Sequence, residues 1–426
     1  MATIKPFKGL TYNRKKVLNI QSVMAPPYDV ISSKMQSHFY ELNPYNIIRL
    51  ILGKETKKDN GKNNKYTRAR KFLDSWLKND VVLVDKKPCI YIYQQIYLFK
   101  NKKKTRTGFI SLMKIEDPKK SGILPHEYTL SKPKKDRFKL IKSVGANLSP
   151  IFSLYDDKKS VISKILKKEK SQTSALIDIN FEGVNHKLWK IADPKIINSI
   201  KAQIKKKKIF IADGHHRYEV SLMYKKYLAK KKKSGTSSDY VMMYFTNLRE
   251  SSNVAIFATH RLLKKSSNKN INDILSLLKG SFNATLYNSS EALIKQLSKK
   301  INRPSYGVYM GKNKFYLISL KKHLSTQKII SGNKSSQWKR LDVAVLHNYV
   351  LKDLLSLKDA ENNIKYVREP EHAVRLINDG EYAIAFFLNP TRAKQVRDVA
   401  EKKDMMPQKS TYFYPKLLTG LTINKF

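Results

Sequence analysis

The chain has 426 residues, one cysteine and a formal net charge of +50 at pH 7. The single Cys89 excludes a disulfide within the chain and a zinc site built from cysteines. No apolar run approaches the roughly 18 residues of a membrane-spanning helix, and residues 1–7 contain no apolar signal-peptide core. We therefore expect a soluble cytoplasmic protein without a membrane partner, long enough for two or three domains.

The first half of the chain alternates between strand-like and helix-like periodicity. Residues 17–52 carry turn signals at 25–29 and 43–46, which predict short strands between them. Two aromatic and β-branched runs joined by the basic segment 100–104 predict an antiparallel hairpin over 89–99 and 105–115. Further predictions are helices near 66–79, 134–144, 158–170 and 193–206, a strand at 151–155, and a strand, turn and helix over 209–230.

The second half begins after a basic, then Gly/Ser/Thr-rich segment at 230–238, which predicts a linker or long surface loop. Beyond it, 240–248 and 254–257 are apolar runs. We predict a strand at 382–388, a hairpin over 305–311 and 314–319, and helices at 341–352, 369–378 and 391–403. This alternation predicts a mixed α/β (α+β) chain of two lobes, residues 1–234 and 235–426.

The positive charge is spread along the whole chain, with short lysine clusters at 102–104, 205–208 and 230–233. This distribution favours solvated helix faces and loops, with nonspecific attraction of polyanions as a consequence. Nucleic-acid binding as the main function is the alternative, but no recognition motif accompanies the charge.

The most informative segment is residues 209–219, where an apolar run stops at Asp213-Gly214 and a helical pattern begins with His215, His216 and Arg217. A helix start offers backbone N–H groups and the positive end of the helix dipole. Gly214 allows a close approach, Arg217 could clamp phosphate oxygens, and the histidines could donate to phosphate or carry a proton. The alternative is structural: Asp213 caps the helix, one histidine packs in the core, and Arg217 pairs with Glu219 or Glu127.

Two further segments offer carboxylates. In 25–29, two prolines stiffen the approach to Tyr28 and Asp29, although a plain turn with Asp29 capping the next helix fits equally. In 124–127, His126 and Glu127 offer acid–base capacity or a carboxylate for Mg²⁺, and the alternative is a capped loop with exposed charges.

Two segments remain in the second half. Thr259-His260-Arg261 follows an apolar strand. The segment could place a second cationic group at the end of that strand, or it could be an ordinary surface loop. Residues 406–416 combine polar side chains with three aromatics, which suits a lid over a site or, as we favour, aromatics that anchor the last strand.

The motifs carry a resemblance to a known family. Gly214-His215-His216-Arg217 resembles the Gly-x-x-Arg box of the ParB/sulfiredoxin-like superfamily, and nearly the whole chain resembles the bacterial family known as domain of unknown function 1015. The matching segments are residues 25–32, 43–46, 124–127, 146–150, 213–219, 259–262 and 406–416. The chain departs from sulfiredoxin, which needs a cysteine in this box, because position 215 is histidine.

The resemblance implies a ParB/sulfiredoxin-like core in which the box contacts nucleotide phosphates. The relation to free serine kinases implies a small-molecule kinase that uses ATP or ADP and Mg²⁺, with free L-serine as the hydroxyl acceptor. Asp29 would be the counterpart of an early carboxylate base in those enzymes. The alternatives are a ParB-like, nucleotide-dependent DNA-associated protein and a phosphohydrolase. The donor, the acceptor and the oligomeric state stay open.

These arguments define the candidate site. We expect phosphate contacts from five residues: Asp213, Gly214, His215, His216 and Arg217. The candidates for catalysis are Asp29, Glu127, His126 and His216, with Mg²⁺ held through Asp29 or Glu127. Residues expected to support them are Tyr28, Arg49, His260, Arg261 and Lys409. Walker-type phosphate loops, Gly-x-Gly-x-x-Gly turns and His-Glu-x-x-His zinc motifs do not occur in the sequence.

Overall fold

The computed structural model describes residues 2–232, 237–250, 253–264, 271–357 and 363–426. The chain divides into two units, the first formed by residues 1–125, 129–255 and 415–426, the second by residues 126–128 and 256–414. This partition differs from the expected one at 234/235, because the first unit continues to residue 255 and regains the last twelve residues. The proposed linker at 230–238 falls partly on residues 233–236, which lie outside the described residues.

The first unit contains a nine-stranded sheet flanked by helices. Its elements, in chain order, are β1 Ile4–Lys5, β2 Leu10–Tyr12, α1 Ser33–Leu42, α2 Ile48–Ile51, α3 Lys65–Lys78, β3 Val82–Val84, β4 Ile90–Phe99, β5 Lys102–Lys114, β6 Ile123–Leu124, α4 Ser131–Val144, β7 Ala146–Asn147, β8 Ile151–Tyr155, α5 Val161–Gln172, β9 Ile177–Phe181, β10 Val184–Ile191, α6 Pro194–Lys205, β11 Ile209–Asp213, α7 His215–Lys230 and β12 Tyr240–Asn247. The strand order is β6-β11-β8-β12-β5-β4-β10-β9, with β1 pairing against β5.

The predicted hairpin is confirmed as β4 and β5. The strands pair antiparallel from Tyr91 opposite Ile110 to Phe99 opposite Lys102. The turn is shorter than expected, because only Lys100 and Asn101 lie between the strands, both with positive φ (51° and 59°). Two consecutive residues with positive φ are typical of the tight hairpin turns that match strand twist.

The prediction of short strands over 17–52 is wrong. This segment forms two short 3-10 helices, Ile20–Val23 and Tyr28–Val30, followed by α1 and α2. Ser32 starts α1, since its hydroxyl accepts a hydrogen bond from the Met35 amide (3.2 Å), as expected of a serine at this position. Turn-forming residues here separate helices, a distinction that turn signals alone do not make.

The apolar core of the first unit lies between the sheet and two of its helices. Leu166 of α5 and Ile200 of α6 pack with sheet residues such as Ile92, Phe109 and Phe245, and all five are at most 1% exposed. Burying each such side chain stabilises the fold by roughly 1.5–3 kcal/mol. The predicted strand, turn and helix at 209–230 is confirmed as β11 and α7.

The second unit contains a six-stranded sheet with the order β15-β17-β16-β19-β14-β18. Its elements are β13 Ala255–Phe257, β14 His260–Leu263, α8 Ile271–Ser281, β15 Phe282–Tyr287, α9 Ser290–Leu297, β16 Ser305–Tyr309, β17 Phe315–Leu320, α10 Thr326–Ile329, α11 Ser336–Lys339, α12 Asp342–Val345, a π-helix Leu346–Leu354, β18 Ile364–Val367, α13 Pro370–Asn378, β19 Ile384–Phe387, α14 Ala393–Glu401 and β20 Tyr412–Tyr414. The last strand, β21 Asn424–Lys425, belongs to the first unit and pairs with β7.

The predicted elements of the second half are confirmed, with one difference. The expected helix at 341–352 is a short α-helical turn, α12, that continues as the π-helix. The mixed α/β class is likewise confirmed. In the part of the chain that the structure describes, no helix combines the length and the apolar character that crossing a membrane requires.

Candidate functional site

The turn between β11 and α7 forms the centre of the candidate site in the first unit. β11 pairs with β6 on one side and β8 on the other, with an irregularity in register between Ile211 and Asp213. Gly214 follows with φ +95° and occupies the N-cap position of α7, where no described side chain caps the helix. Asp213 is therefore not the N-cap that the structural alternative assumed.

Asp213 lies between two cations. Its Oδ1 accepts a hydrogen bond from Lys416 Nζ (2.6 Å) and its Oδ2 accepts one from Arg217 Nη2 (2.9 Å). Burial opposes ionisation of this carboxyl, but Lys416 and Arg217 outweigh burial and hold the pKa of Asp213 well below its usual range. Two positive charges on one carboxylate leave an excess positive charge at the turn.

The guanidinium of Arg217 is folded over Gly214. A Cβ at position 214 would lie 2.9 Å from the Arg217 Nε and Nη2 atoms. Arg217 Nη1 also donates to the Pro150 carbonyl (2.6 Å) and to Ser149 Oγ (3.3 Å). The orientation of Arg217 is thus fixed by the turn that precedes β8. Among the described residues of the first unit, its ion-pair partner is Asp213 and not Glu219, which pairs with Lys134.

A small cavity of about 60 Å³ lies beside this turn. Its polar lining consists of Tyr28, Arg137, Asn147, Ser149, Arg217 and Ser221, and its apolar lining includes Ile51, Leu140 and Val220. Small-molecule sites usually enclose roughly 300–1,000 Å³. The enclosed space therefore suits a phosphate-sized group rather than a whole nucleotide.

Arg137 and Tyr28 form one wall of this cavity. The Arg137 guanidinium lies 4.1 Å from the Tyr28 ring centroid and donates to the Ile51 carbonyl (2.6 Å). Burial raises the pKa of Tyr28 to about 12, Asp29 adds to the increase, and Arg137 and Arg217 oppose it. Both arginines and Asp29 are therefore within electrostatic reach of the Tyr28 hydroxyl.

Asp29 is exposed, next to the cavity wall. It follows the buried Pro26 and Pro27 and lies in the short helix Tyr28–Val30. Ser32 rather than Asp29 caps α1, so the capping alternative is wrong. Among the described residues, the Asp29 carboxylate has no hydrogen-bonded or ion-paired partner, which leaves it accessible to a ligand.

The two histidines of the turn have different surroundings. His215 is buried. His216 Nε2 accepts a hydrogen bond from the backbone amide of Leu130 (2.8 Å), at the start of α4. Glu219 accepts from Thr129 Oγ1 (2.6 Å) and Lys134 Nζ (2.9 Å) in the same region. These contacts tie the first turn of α7 to the start of α4, which is a positioning role for His216.

Arg49, expected to support the site, braces helices instead. Its guanidinium lies over the rings of Tyr40 (4.4 Å) and Phe72 (5.6 Å) and donates to the Tyr40 carbonyl (2.7 Å). It is not among the residues that line the cavity.

His126 and Glu127 belong to the second unit. His126 is buried, and its Nε2 shares a hydrogen bond with Thr411 Oγ1 (3.1 Å). Glu127 Oε1 accepts a hydrogen bond from the Lys409 backbone amide (3.1 Å). Within that unit, both side chains contact the segment 406–411.

His260 and Arg261 are also buried in the second unit. Burial lowers the pKa of His260 to about 3, and its Nδ1 accepts from the Leu388 amide (3.2 Å). Burial also lowers the pKa of Arg261 to about 10. Arg261 donates to the Thr259 carbonyl and to the Lys409 carbonyl (3.0 Å). The cationic group that we expected at the end of this strand is therefore buried and holds backbone carbonyls.

Three residues at the candidate site were not singled out from the sequence. Ser149 and Lys416 lie inside segments that matched the family, 146–150 and 406–416, so the motif pointed to the right stretch but assigned them no role. Arg137 lies in the middle of α4, where no motif marks it. Its position depends on how α4 packs, which local patterns do not reveal.

The comparisons with known proteins identify the family. The family described as "Protein of unknown function (DUF1015)" matches residues 4–344. The chain therefore belongs to this family, as the sequence motifs predicted. No curated protein matches it.

Several solved structures are similar to the chain at low identity. A free serine kinase in complex with AMP is 14% identical, with a TM-score of 0.32, over 68% of this chain and 83% of that one. A conserved hypothetical protein from Pyrococcus furiosus is 13% identical, with a TM-score of 0.33, over 70% and 89%. SbnI with a C-terminal truncation, from Staphylococcus aureus, is 10% identical, with a TM-score of 0.35, over 73% and 85%. TM-scores this low do not assign an activity.

The arrangement of the described side chains offers little support for a metal site formed by the protein alone. Among the described residues, no three His, Cys, Asp or Glu side chains converge as metal ligands. Mg²⁺ in phosphoryl-transfer enzymes commonly takes one or two carboxylates and completes its shell with phosphate oxygens and water. An exposed carboxylate such as Asp29 would fit that mode, whereas Asp213 is already held by two cations.

Proposed function

We propose that the first unit binds nucleotide phosphates at the β11–α7 turn and transfers a phosphoryl group to a small hydroxyl-bearing acceptor. The observation that carries this proposal is the Arg217 guanidinium, fixed over Gly214 beside a phosphate-sized cavity that Arg137 also lines. ATP or ADP as donor and free L-serine as acceptor are the substrates that the resemblance to free serine kinases implies.

The charges of the turn support an anion site. Asp213 neutralises only one of its two cationic partners, and Arg217 presents a planar donor group suited to phosphate oxygens. The start of α7 adds the partial positive charge of a helix N-terminus. The terminal phosphate would occupy the cavity, and the nucleoside would lie outside it, because the enclosed volume is too small for both.

Asp29 is the candidate base in this proposal. The acceptor oxygen would form a bond to the terminal phosphorus, the bond from phosphorus to the oxygen of the leaving nucleotide would break, and the hydroxyl proton would pass to Asp29. Arg217 and Arg137 would stabilise the charge on the transferred group. A Mg²⁺ ion, if bound, would supply further charge neutralisation through Asp29 and phosphate oxygens.

The direct test is product analysis. Purified protein is incubated with ATP or ADP, Mg²⁺ and L-serine, and O-phosphoserine is measured by mass spectrometry. We expect phosphoserine with one of the two nucleotides. Nucleotide hydrolysis that is independent of serine would instead identify a phosphohydrolase, and no product together with no nucleotide-induced thermal shift would refute the proposal. Steeply salt-dependent DNA binding with sequence preference would favour the ParB-like alternative.

Matched variants separate binding from catalysis. Arg217→Ala should lower kcat/KM by at least about 100-fold and abolish the thermal shift, because it removes the phosphate clamp. Asp29→Asn should keep nucleotide binding and lower kcat by about 10²–10⁴-fold.

The control for these variants is Arg249→Ala. Arg249 pairs with Asp156 (2.6 Å), the residue that follows β8. The last residue of β8, Tyr155, lies opposite Ile209 at the start of β11. The pair is therefore at the far end of these two strands from the β11–α7 turn. Arg249→Ala removes one positive charge, as Arg217→Ala does, and should leave activity unchanged. An equal loss of folding in Arg217→Ala and Asp29→Asn would point to a purely structural turn.

A further inference from the structure

The second unit contains a cavity of its own, of about 660 Å³. It is bounded by the segment before β16, the segment from the end of β17 into α10, and the start of α14. Its charged lining residues are Arg303, Lys322, Arg340, Asp342, Arg392, Lys394 and Asp398. The volume is within the range of small-molecule sites, roughly 300–1,000 Å³.

The charge of this lining is positive. Five lysine and arginine side chains face two carboxylates. Asp398 is already paired with Arg397 (2.7 Å). Burial raises the pKa of the other carboxyl, Asp342, to about 7 even though Arg392 opposes the increase. Near neutral pH, Asp342 is therefore only partly ionised and offsets less than one positive charge.

The cations of this lining are not neutralised by carboxylates in the described part of the chain, although Arg392 Nε donates a hydrogen bond to Gln395 Oε1 (3.3 Å). Among the described residues, no carboxylate forms an ion pair with Arg340, Arg392, Lys322 or Lys394. Arg303 is different, because it donates to the Leu320 carbonyl (3.0 Å) and is held in place by the backbone. Arg340 and Arg392 are exposed, so their planar donor groups are accessible to a ligand anion that can accept two hydrogen bonds from each.

The uncharged lining indicates what else the ligand carries. Hydroxyl and amide groups come from Ser325, Thr326, Asn302 and Gln395. Of the described residues that form the cavity, none is a phenylalanine, tyrosine or tryptophan, and the imidazole of His323 is the one aromatic ring. Stacking on aromatic rings is a common way to hold a base, so a lining with one small ring and many hydroxyl and amide groups suits hydroxyl groups better than a nucleobase.

We propose that the second unit binds a small phosphorylated metabolite without an aromatic base, of the sugar-phosphate class, in the cavity between Arg303, Arg340 and Arg392. The phosphate accepts hydrogen bonds from Arg340 and Arg392, and the hydroxyl groups face Ser325, Thr326 and the amides. This proposed site is independent of the β11–α7 turn in the first unit.

The test is calorimetric titration of the full-length protein with glucose 6-phosphate, glucose and AMP. We expect glucose 6-phosphate to bind, and glucose and AMP to bind at least about tenfold more weakly at this site, glucose because it lacks the phosphate and AMP because its base replaces hydroxyl groups that the lining would bind. The double variant Arg340→Ala/Arg392→Ala should weaken glucose 6-phosphate binding by at least about tenfold, because each arginine makes charge-assisted hydrogen bonds.

Two controls separate this site from other causes. Arg375→Ala removes an exposed arginine of the same unit that does not line the cavity, and Arg217→Ala removes the clamp of the first unit. Both should keep glucose 6-phosphate binding. Unchanged binding in the double variant, an equal loss in Arg375→Ala, or a loss in Arg217→Ala would each overturn the proposal, and thermal melts of all variants verify folding.

Discussion

Gly214 is the residue at which the smallest change should have the largest effect on the β11–α7 turn. A non-glycine residue with positive φ costs roughly 1–2 kcal/mol, and a methyl group here also meets the Arg217 guanidinium at 2.9 Å. Gly214→Ala should therefore destabilise the first unit and displace Arg217, which abolishes nucleotide binding. Urea unfolding and a nucleotide-induced thermal shift measure the two effects.

Gly145 provides the matched control for this prediction. It also has a positive φ (+65°), but a Cβ there meets nothing within 4 Å. Gly145→Ala should cost a similar strain, about 1 kcal/mol, and keep nucleotide binding. If Gly214→Ala binds nucleotide as well as Gly145→Ala does, the position of Arg217 over the turn has no functional importance.

Asp342 gives the second unit a pH-dependent stability. Its pKa in the folded state is about 7, above the ordinary value of a carboxyl, because ionisation of Asp342 is unfavourable in the folded protein. The contribution of Asp342 to the free energy of unfolding is therefore highest below about pH 4 and falls as the pH rises to 7. Asp342→Asn removes this cost. Its gain in unfolding free energy should be about 1–2 kcal/mol larger at pH 8.5 than at pH 5.5.

Urea unfolding at the two pH values tests this expectation. Asp379→Asn, on an exposed aspartate of the same unit, serves as the control and should show no such difference. A gain from Asp342→Asn that is equal at both pH values would mean that the carboxyl titrates normally.

At the residue scale, some positions of the candidate site could be predicted from a local motif, whereas others depend on tertiary packing. The strand, Gly214 and Arg217 could be predicted because their geometry is local: an apolar run, a glycine and a helix start lie within eleven residues. Arg137 could not, since it reaches Tyr28 only through the packing of α4. Lys416 is 203 residues from Asp213 along the chain, and no local pattern connects two such distant positions.

At the element scale, the C-terminal segment 415–426 is held across the first unit by many contacts. The buried Arg106 donates to the Pro415 carbonyl, and Gln95 Nε2 donates to the Lys416 carbonyl (2.9 Å). The Leu418 amide donates to the Tyr93 hydroxyl (3.2 Å). Since β21 then pairs with β7, the segment is an integral part of the unit, and it fixes Lys416 beside Asp213.

Lys416→Met tests this arrangement. Losing one cation from a largely buried pair should cost about 1–3 kcal/mol at pH 7. The pKa of Asp213 is lowered in the folded protein, so the stabilisation is present above about pH 4 and is lost as the pH falls below it. The difference between variant and parent in urea unfolding should therefore shrink below pH 4.

Lys425→Met is the control for this change. Lys425 pairs with Asp74 at 3.3 Å, and both side chains are exposed, so its loss should cost less than about 0.5 kcal/mol. An equal cost in the two variants, or no change with pH for Lys416→Met, would contradict a structural role for the ion pair with Asp213.

The elements themselves could mostly be predicted, and the failures have a physical cause. Long segments such as β4, β5 and α7 carry a clear signal. β4 is a ten-residue run of mostly aromatic and β-branched residues, and β5 follows it across a short turn; α7 follows an apolar strand and a glycine. Segment 17–52 lacks such runs, and apart from α1 its elements have at most four residues. There, a capping serine such as Ser32 decides between helix and strand more than the turn residues do.

At the scale of the whole molecule, the order of strands decides where the chain can be divided. β12 lies between β8 and β5 in the sheet of the first unit, although it follows the expected boundary at 234. A fragment of residues 1–234 lacks this central strand and should not fold. A fragment of residues 256–414 contains all six strands of the second sheet and should unfold cooperatively.

Circular dichroism and urea unfolding of the two fragments test this prediction. A fragment of residues 1–255 fused through a Gly/Ser linker to residues 415–426 is the matched control and should recover the folded first unit. Cooperative unfolding of the fragment 1–234 would show that β12 is dispensable. The sequence could not predict this division, because strand order depends on contacts between distant segments.

The return of residues 415–426 to the first unit has a consequence for biosynthesis. A ribosome that has released the first 255 residues has produced every strand of the nine-stranded sheet of that unit, but not the lysine that pairs with Asp213. A premature stop codon anywhere upstream of codon 416 would therefore leave the β11–α7 turn without the Lys416 contact to Asp213, however much of the protein had already folded.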